Sequence, residues 1–156
     1  MSTRYAIPHN AITPSKGNMT ATVGSVPAIT FTSGGLNFAG DYYTTDRQMR
    51  LTLSALQQLP LSIHGIEITF PRDLEDGKHK VEDGKVSAAY WQLVTENGET
   101  VFVVNDADSG FINFAKNDAL ETFSGTFSFT TKNADGTVFE IKNGRFDVEG
   151  FDEFTL

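Results

Sequence analysis

The sequence predicts an all-β domain, folded as an antiparallel β-sandwich or a flattened β-barrel of about nine or ten strands. Three observations carry this prediction. Apolar and polar residues alternate with the period of two that is typical of half-buried strands. Runs of aromatic and β-branched residues, with 13 Phe in the chain, are separated by glycine-containing turn dipeptides. No stretch has the period of an amphipathic helix longer than a turn or two.

The chain divides into two predicted parts. Residues 1–18 are expected to form a flexible N-terminal arm, because Pro8, Pro14 and Gly17 stand among polar residues without either period. Residues 19–156 are expected to form a single β domain, since a chain of 156 residues fits one core. A domain of this size needs no disulfide staples, and the absence of cysteine leaves the redox compartment open.

The first predicted strands alternate around the Gly34-Gly35 turn, in residues 28–33 and 36–42. Residues 48–56 show the strictest period of two and predict a half-buried strand. Residues 63–70 predict another strand. Its apolar side chains share one face with His64, which we interpret as a hydrogen-bonded wall residue rather than a metal ligand.

Asx-Gly dipeptides punctuate the rest of the chain. Each offers the positive φ angles that a hairpin turn needs: Asp76-Gly77, Asp83-Gly84, Asn97-Gly98, Asp135-Gly136 and Asn143-Gly144. The clearest predicted hairpin surrounds Asn97-Gly98, because both flanks are rich in aromatic and β-branched residues. In the run before Asp135-Gly136, Phe127 and Phe129 are predicted to share one face.

The charge balance and the apolar runs exclude two classes of partner. A formal net charge of −8, from 20 acidic and 12 basic residues, disfavours nucleic acid, whose phosphates are bound by Lys and Arg. No segment approaches the ~20 apolar residues of a membrane span. Residues 1–18 have no signal-peptide hydrophobic region. The chain as it stands therefore predicts a cytoplasmic protein, or an envelope or secreted one if a leader was removed.

No catalytic residue, metal ligand or cofactor is predicted. The sequence has no cysteine nucleophile and no Gly-x-Ser-x-Gly elbow, and its three histidines are isolated from one another. Residues 105–110 resemble a calcium loop, but Ala107 and Lys116 stand where ligands are required, so we predict a solvated turn there. Acidic residues are numerous enough that no particular pair of carboxylates stands out.

Two aromatic doublets, Tyr42-Tyr43 and Tyr90-Trp91, are the remaining functional lead. Because successive side chains of a strand point to opposite faces, each doublet should direct one ring inward and the other outward. Exposed rings on β-sheets bind sugars, peptides and lipids. Tyr43, Tyr90 and Trp91 are therefore the candidate ligand-binding residues.

A family resemblance rests on the second half of the chain. Residues 110–114 read Gly-Phe-Ile-Asn-Phe, 124–129 read Ser-Gly-Thr-Phe-Ser-Phe, 135–138 read Asp-Gly-Thr-Val, and 141–148 read Ile-Lys-Asn-Gly-Arg-Phe-Asp-Val. This order resembles the uncharacterised β-rich domains of small envelope lipoproteins common in Bacteroidota. The resemblance implies a β fold and an envelope setting, although the lipid-bearing cysteine of such lipoproteins is not present.

Together these features predict a non-catalytic binding or interaction module, with a carbohydrate, a peptide or a protein as its ligand. Two alternatives remain open. One is a secreted effector, a toxin-like protein or a self-assembling β protein whose edge strands pair between chains. The other is a carboxylate-dependent hydrolase, which requires two acids facing one cleft.

Overall fold

A computed structural model describes residues 15–24, 29–42, 49–117, 122–132 and 136–150 of the chain. They form ten strands and one short 3₁₀ helix, η1: β1 (Lys16–Gly24), β2 (Ile29–Thr32), β3 (Gly35–Tyr42), β4 (Met49–Gln58), β5 (Ser62–Pro71), β6 (Gly77–Lys80), η1 (Val81–Asp83), β7 (Ser87–Glu96), β8 (Glu99–Asn117), β9 (Thr122–Lys132) and β10 (Val138–Glu149). Within these ranges no helix has the length and apolar content to cross a membrane.

The strands form one antiparallel sheet in the order β2-β1-β10-β9-β8-β7-β5-β4-β3, and β6 pairs with β8 beside this path. The sheet curls into a half-barrel. These findings confirm the predicted all-β class and the antiparallel pairing. The runs predicted at residues 48–56 and 63–70 are strands β4 and β5, next to the edge strand β3.

The sheet bends at strand β8, because the two halves of this strand pair with different neighbours. Residues 99–106 pair with β7, whereas the pairing with β9 begins at Ala107 and runs to Asn117. The register with β9 shifts between Ala107 and Ser109, and such an irregularity bends a strand. The turn predicted for residues 105–110 is therefore wrong: both halves of β8 find partners, so the backbone stays extended through this segment.

A two-residue connection holds the two edges of the sheet close together. Ser33 and Gly34 join the edge strand β2 directly to the opposite edge strand β3. The Ser33 amide donates to the carbonyl of Met19 on β1 at 2.9 Å, and the Gly34 amide donates to the carbonyl of Leu56 on β4 at 2.7 Å. Both halves of the sheet are thus hydrogen-bonded to this connection.

The first and last described strands are neighbours. Lys16 of β1 pairs with Glu149 of β10, and the pairing continues to Gly24 opposite Glu140. Strand β1 begins three residues before the predicted start of the domain at residue 19, so the end of the predicted arm belongs to the sheet. Residues 1–14 and 151–156 lie outside the described residues.

The Asx-Gly dipeptides adopt several different local structures. Asn97-Gly98 forms the predicted two-residue hairpin turn, with φ angles of 50° and 79° as in a type I′ turn. Asp83-Gly84 ends η1, and Asn143-Gly144 lies inside β10 at a register shift against β9. Gly77 opens β6. A residue with a positive φ angle can occur at a helix end or in a bulge as well as in a hairpin turn. The prediction that the Asx-Gly dipeptides form hairpin turns was therefore too broad.

The core is the concave side of the curled sheet and is mostly aromatic and β-branched. Phe127 and Phe129 are both buried, as the predicted shared face requires. The ring of Phe38 on β3 contacts that of Phe123 on β9, with 4.8 Å between the centroids, so the edge strand β3 packs against β9 across the core.

Candidate functional site

The convex face of β4, β5, β7 and β8 carries two rows of apolar side chains. The hydrogen-bonded register places Leu56, Gly65, Trp91 and Val104 opposite one another in the first row. In the second row the polar Gln58 of β4 is followed by Ile63, Leu93 and Phe102. We call the six apolar side chains of these rows the aromatic face: Leu56, Ile63, Trp91, Leu93, Phe102 and Val104.

Trp91 is the centre of the aromatic face, and its indole lies across the backbone of Gly65. A Cβ atom at Gly65 would fall 2.2 Å from the ring carbons of Trp91, so the close approach requires glycine at that position. The other side of the indole contacts Phe102, with ring centroids 5.6 Å apart and planes inclined by 48°. The pair is held on two strands of a tight hairpin, which fixes its orientation.

Much of this apolar surface is open to solvent. Phe102 is 60% exposed, Val104 48% and Leu56 41%, while Trp91 and Leu93 are half-buried. Isolated apolar residues on a surface are common, but a contiguous patch across several strands marks an interaction site.

A cleft of about 510 Å³ opens at one end of the aromatic face. The β4–β5 connection forms one wall, where Leu61 is 91% exposed. Ile63 and Leu93 form the floor, and the hydroxyl-bearing side chains of Thr95 and Thr100 line the opposite side. The volume lies within the range of small-ligand pockets, so the cleft can hold one side chain or one ring of a ligand.

The charged groups next to the aromatic face are of both signs. Glu67 and Asp106 lie on the adjacent row of the same convex face. Thr131 of β9 pairs with Ala107, so the next residue, the exposed Lys132, lies beside Asp106. The border of the face therefore carries acidic and basic groups.

The candidate ligand-binding residues occupy different environments. Trp91 points outward onto the aromatic face, and Tyr90 points into the core, where it is only 2% exposed. This opposition follows from the strand alternation, and it removes the ring of Tyr90 from any surface contact. Tyr43 lies outside the described residues.

Tyr90 belongs instead to a buried polar network around His64. The Nε2 atom of His64 lies 2.7 Å from Oε1 of Gln57, and its Nδ1 atom lies 2.8 Å from the Tyr90 hydroxyl. Because an amide oxygen only accepts, Nε2 carries the proton and donates it to Gln57. Nδ1 then accepts a hydrogen bond from the Tyr90 hydroxyl. The ring of Phe31 covers the imidazole edge-on at 5.0 Å.

Burial keeps both titratable members of this network neutral. It lowers the pKa of His64 and raises the pKa of Tyr90 to about 12. His64 is 1% exposed, and the Asn105 amide donates to the carbonyl of Tyr90 at 2.9 Å. Both ring nitrogens of His64 therefore have hydrogen-bond partners in the protein. This confirms the prediction that His64 is a hydrogen-bonded wall residue.

A second cleft, of about 500 Å³, carries charged groups of both signs. Asp73 and Glu75 line it together with Arg50, His79 and Lys85. His79 Nε2 is 2.7 Å from the Glu75 carbonyl oxygen, so that nitrogen is hydrogen-bonded to the cleft's own backbone. Two carboxylates facing one cleft are what the hydrolase alternative requires. No group of three or more His, Cys, Asp or Glu side chains suited to a metal ion occurs among the described residues.

Sequence reasoning missed five members of the aromatic face: Leu56, Ile63, Leu93, Phe102 and Val104. A signal for the last two was present: a two-residue turn at Asn97-Gly98 sets the register of its hairpin, which places Val104 opposite Trp91. Leu56 gave no such signal, because its position depends on the pairing between β4 and β5.

Comparisons with protein-family models, with curated proteins and with solved structures find no match for this chain. The resemblance to envelope lipoprotein domains thus stays a prediction, and function is argued from the geometry of the site.

Proposed function

We propose that this protein is a non-catalytic binding or interaction module whose ligand lies on the aromatic face. The observation that carries the proposal is the contiguous exposed patch around the Trp91–Phe102 ring contact, continuous with the cleft at Leu93. Large rings on a rigid sheet supply contact area at a low cost in conformational entropy. We further interpret the curled sheet as a flattened barrel, because the Ser33-Gly34 connection draws its two edges together.

The buried network supports a binding function over a catalytic one. His64, which has more hydrogen bonds than the other described histidine, His79, is enclosed by Phe31 and Tyr90 and has both ring nitrogens engaged. A general base must lie within hydrogen-bond reach of the proton that it removes from a substrate. His64 fits the role of specifying how the inner sides of β4, β5 and β7 meet.

Binding to glycan and random-peptide arrays tests the proposal. We expect the full chain to bind and the variant Phe102→Ser/Val104→Ser to lose binding, because the substitutions remove apolar area without opening the core. Val138→Ser is the matched control, since Val138 is also an exposed apolar strand residue but lies on β10. Retained binding by the double variant would overturn the proposal.

The same proteins separate the proposal from its alternatives. Turnover in a glycoside and ester substrate screen that is lost in Asp73→Asn or Glu75→Gln would establish the hydrolase. Concentration-dependent oligomers in light scattering that persist in Phe102→Ser/Val104→Ser would favour self-assembly through edge strands. A binding module of the proposed kind gives neither result.

A further inference from the structure

We infer that Asn97 is a site of spontaneous deamidation, at which the side-chain amide is converted into aspartate or isoaspartate, and that Asn143 is protected from the same reaction. This inference does not depend on the proposed function. It follows from the different surroundings of the two Asn-Gly dipeptides of the chain, one at the tip of a hairpin and the other inside a strand.

In this reaction the backbone nitrogen of Gly98 attacks the Cγ atom of Asn97. A C–N bond forms, the bond between Cγ and Nδ2 breaks, and the amide group leaves as ammonia with the proton of the Gly98 nitrogen. Water then opens the resulting succinimide ring. Cleavage between Cγ and the ring nitrogen gives aspartate in a normal backbone, and cleavage at the backbone carbonyl gives isoaspartate. Water is the only co-reactant, so the reaction depends on how closely the nitrogen can approach Cγ.

The surroundings of Gly98 leave this approach open. Glycine has no side chain to shield its backbone nitrogen, and a Cβ atom built at Gly98 would meet nothing within 4 Å. Asn97 and Gly98 are exposed, and they lie beyond the last pair of the β7–β8 ladder, Glu96 with Glu99. An exposed hairpin tip opens locally at a low cost in free energy, so the nitrogen can turn toward Cγ while the strands stay paired.

Asn143-Gly144 has the same two residues in a closed environment. The φ angle of Asn143 is 54°, close to the 50° of Asn97, so the asparagine backbones start alike. Gly144, however, is buried and pairs with Phe127, and β10 is paired with β9 on both sides of this bulge. A Cβ atom at Gly144 would fall 2.4 Å from ring carbons of Phe127. Moving the Gly144 nitrogen disturbs this packing, so the strand must open before Asn143 can react.

The two products have different effects on the hairpin. Asp-Gly suits a type I′ turn as Asn-Gly does, so the aspartate product keeps the turn. Isoaspartate inserts an additional methylene group into the backbone of a two-residue turn, and the length of the turn sets the register of its strands. This register places Val104 opposite Trp91. Isoaspartate at position 97 therefore disturbs the aromatic face, whereas aspartate leaves it in place.

Incubation of the full chain in mildly alkaline buffer, followed by peptide mapping, tests the inference. Mass spectrometry measures the conversion of amide to acid at each dipeptide, and an isoaspartate-specific methyltransferase labels the isoaspartate. We expect Asn97 to react at least about tenfold faster than Asn143, because the strand around Asn143 must open first. In guanidinium chloride this difference should largely disappear. The same ratio of rates in the folded and unfolded chains, or a reaction of Asn97 in guanidinium chloride alone, would overturn the inference.

Two variants examine the mechanism and its consequence. Gly98→Val should suppress the reaction of Asn97 in buffer and in guanidinium chloride alike, because the branched side chain shields the attacking nitrogen whether or not the chain is folded. An undiminished rate in this variant would exclude attack by that nitrogen. Asn97→Asp, which has the charge of the aspartate product, should keep the emission of Trp91, the only tryptophan of the chain. The emission of the incubated wild type should shift in proportion to its isoaspartate content, and an unchanged emission would contradict the effect on the aromatic face.

Discussion

Trp91 lies over Gly65, the residue directly opposite it on the neighbouring strand, with its indole in the space that a side chain would occupy. This arrangement gives the first prediction. In Gly65→Ala the new methyl group displaces the indole from the sheet, at a cost of about 1–3 kcal/mol in the free energy of unfolding. The emission of Trp91 should also shift to longer wavelength as the ring enters water.

The matched control is Gly34→Ala. A Cβ atom at Gly34 would meet only the Leu56 carbonyl oxygen, at an ordinary 3.8 Å. Its stability in urea denaturation and its fluorescence should match those of the wild type. An unshifted fluorescence emission spectrum in Gly65→Ala would contradict the contact between the Trp91 indole and Gly65.

The second prediction concerns the turn that sets the register of the aromatic face. Gly98 has a φ angle of 79°, with no atom in the way of a side chain, so only backbone strain penalises substitution. Gly98→Val should lower the free energy of unfolding by about 1–2 kcal/mol, because a β-branched residue resists positive φ. Gly98→Asn should lose less, since Asn tolerates this conformation. Urea denaturation measures both, and equal stabilities would argue against the primed turn.

The third prediction is a loss of stability on acidification. Burial holds the pKa of His64 below its ordinary value of about 6.5, so the unfolded chain binds this proton more readily than the folded one. Neutral His64 contributes its full stabilisation above about pH 6.5, the pKa of histidine in the unfolded chain. This contribution to the free energy of unfolding declines as the pH falls from there toward the lower pKa that His64 has in the folded protein.

The variant His64→Leu isolates this contribution, because the carboxylates titrate in both proteins. The difference in unfolding free energy between wild type and variant should shrink below the ordinary histidine pKa. A difference that stays constant with pH would contradict a neutral, buried His64.

The fourth prediction compares two phenylalanines on opposite sides of the sheet. Phe127→Ala should cost about 3–5 kcal/mol, because its ring is fully buried and packs against Phe129 and Phe146. Phe102→Ala, on the convex face, should cost much less, since most of its ring is already in water. The free energy of unfolding of both variants is measured by denaturant titration. Equal losses of stability would contradict the assignment of the core to the side of the sheet that carries Phe127.

The sequence predicted those parts of the fold that depend on local pattern. The period of two identified β4 and β5, and Asn97-Gly98 identified the hairpin on which Trp91 stands. These features could be read because strand alternation and turn chemistry act over a few neighbouring residues. The inward direction of Tyr90 and the outward direction of Trp91 follow from the same rule.

The remaining features arise from pairing between distant segments. Residues 105–110 have the composition of a turn, yet they stay extended because the two halves of β8 pair with β7 and β9. Likewise Asn143-Gly144 has the composition of a hairpin turn, but it is accommodated as a bulge against β9. The composition of the aromatic face depends on which strands become neighbours, and single-strand patterns contain no information about it.

The pairing of β1 with β10 has a consequence for how the chain folds. The hairpins β3–β4, β7–β8 and β9–β10 join segments that leave the ribosome one after another, so they can form during synthesis. Strand β1 is made before all of them, yet one of its two edges has no partner until β10 has emerged. Closing so long a loop is a slow step, and the newborn chain presents an open β1 edge to other strands throughout it.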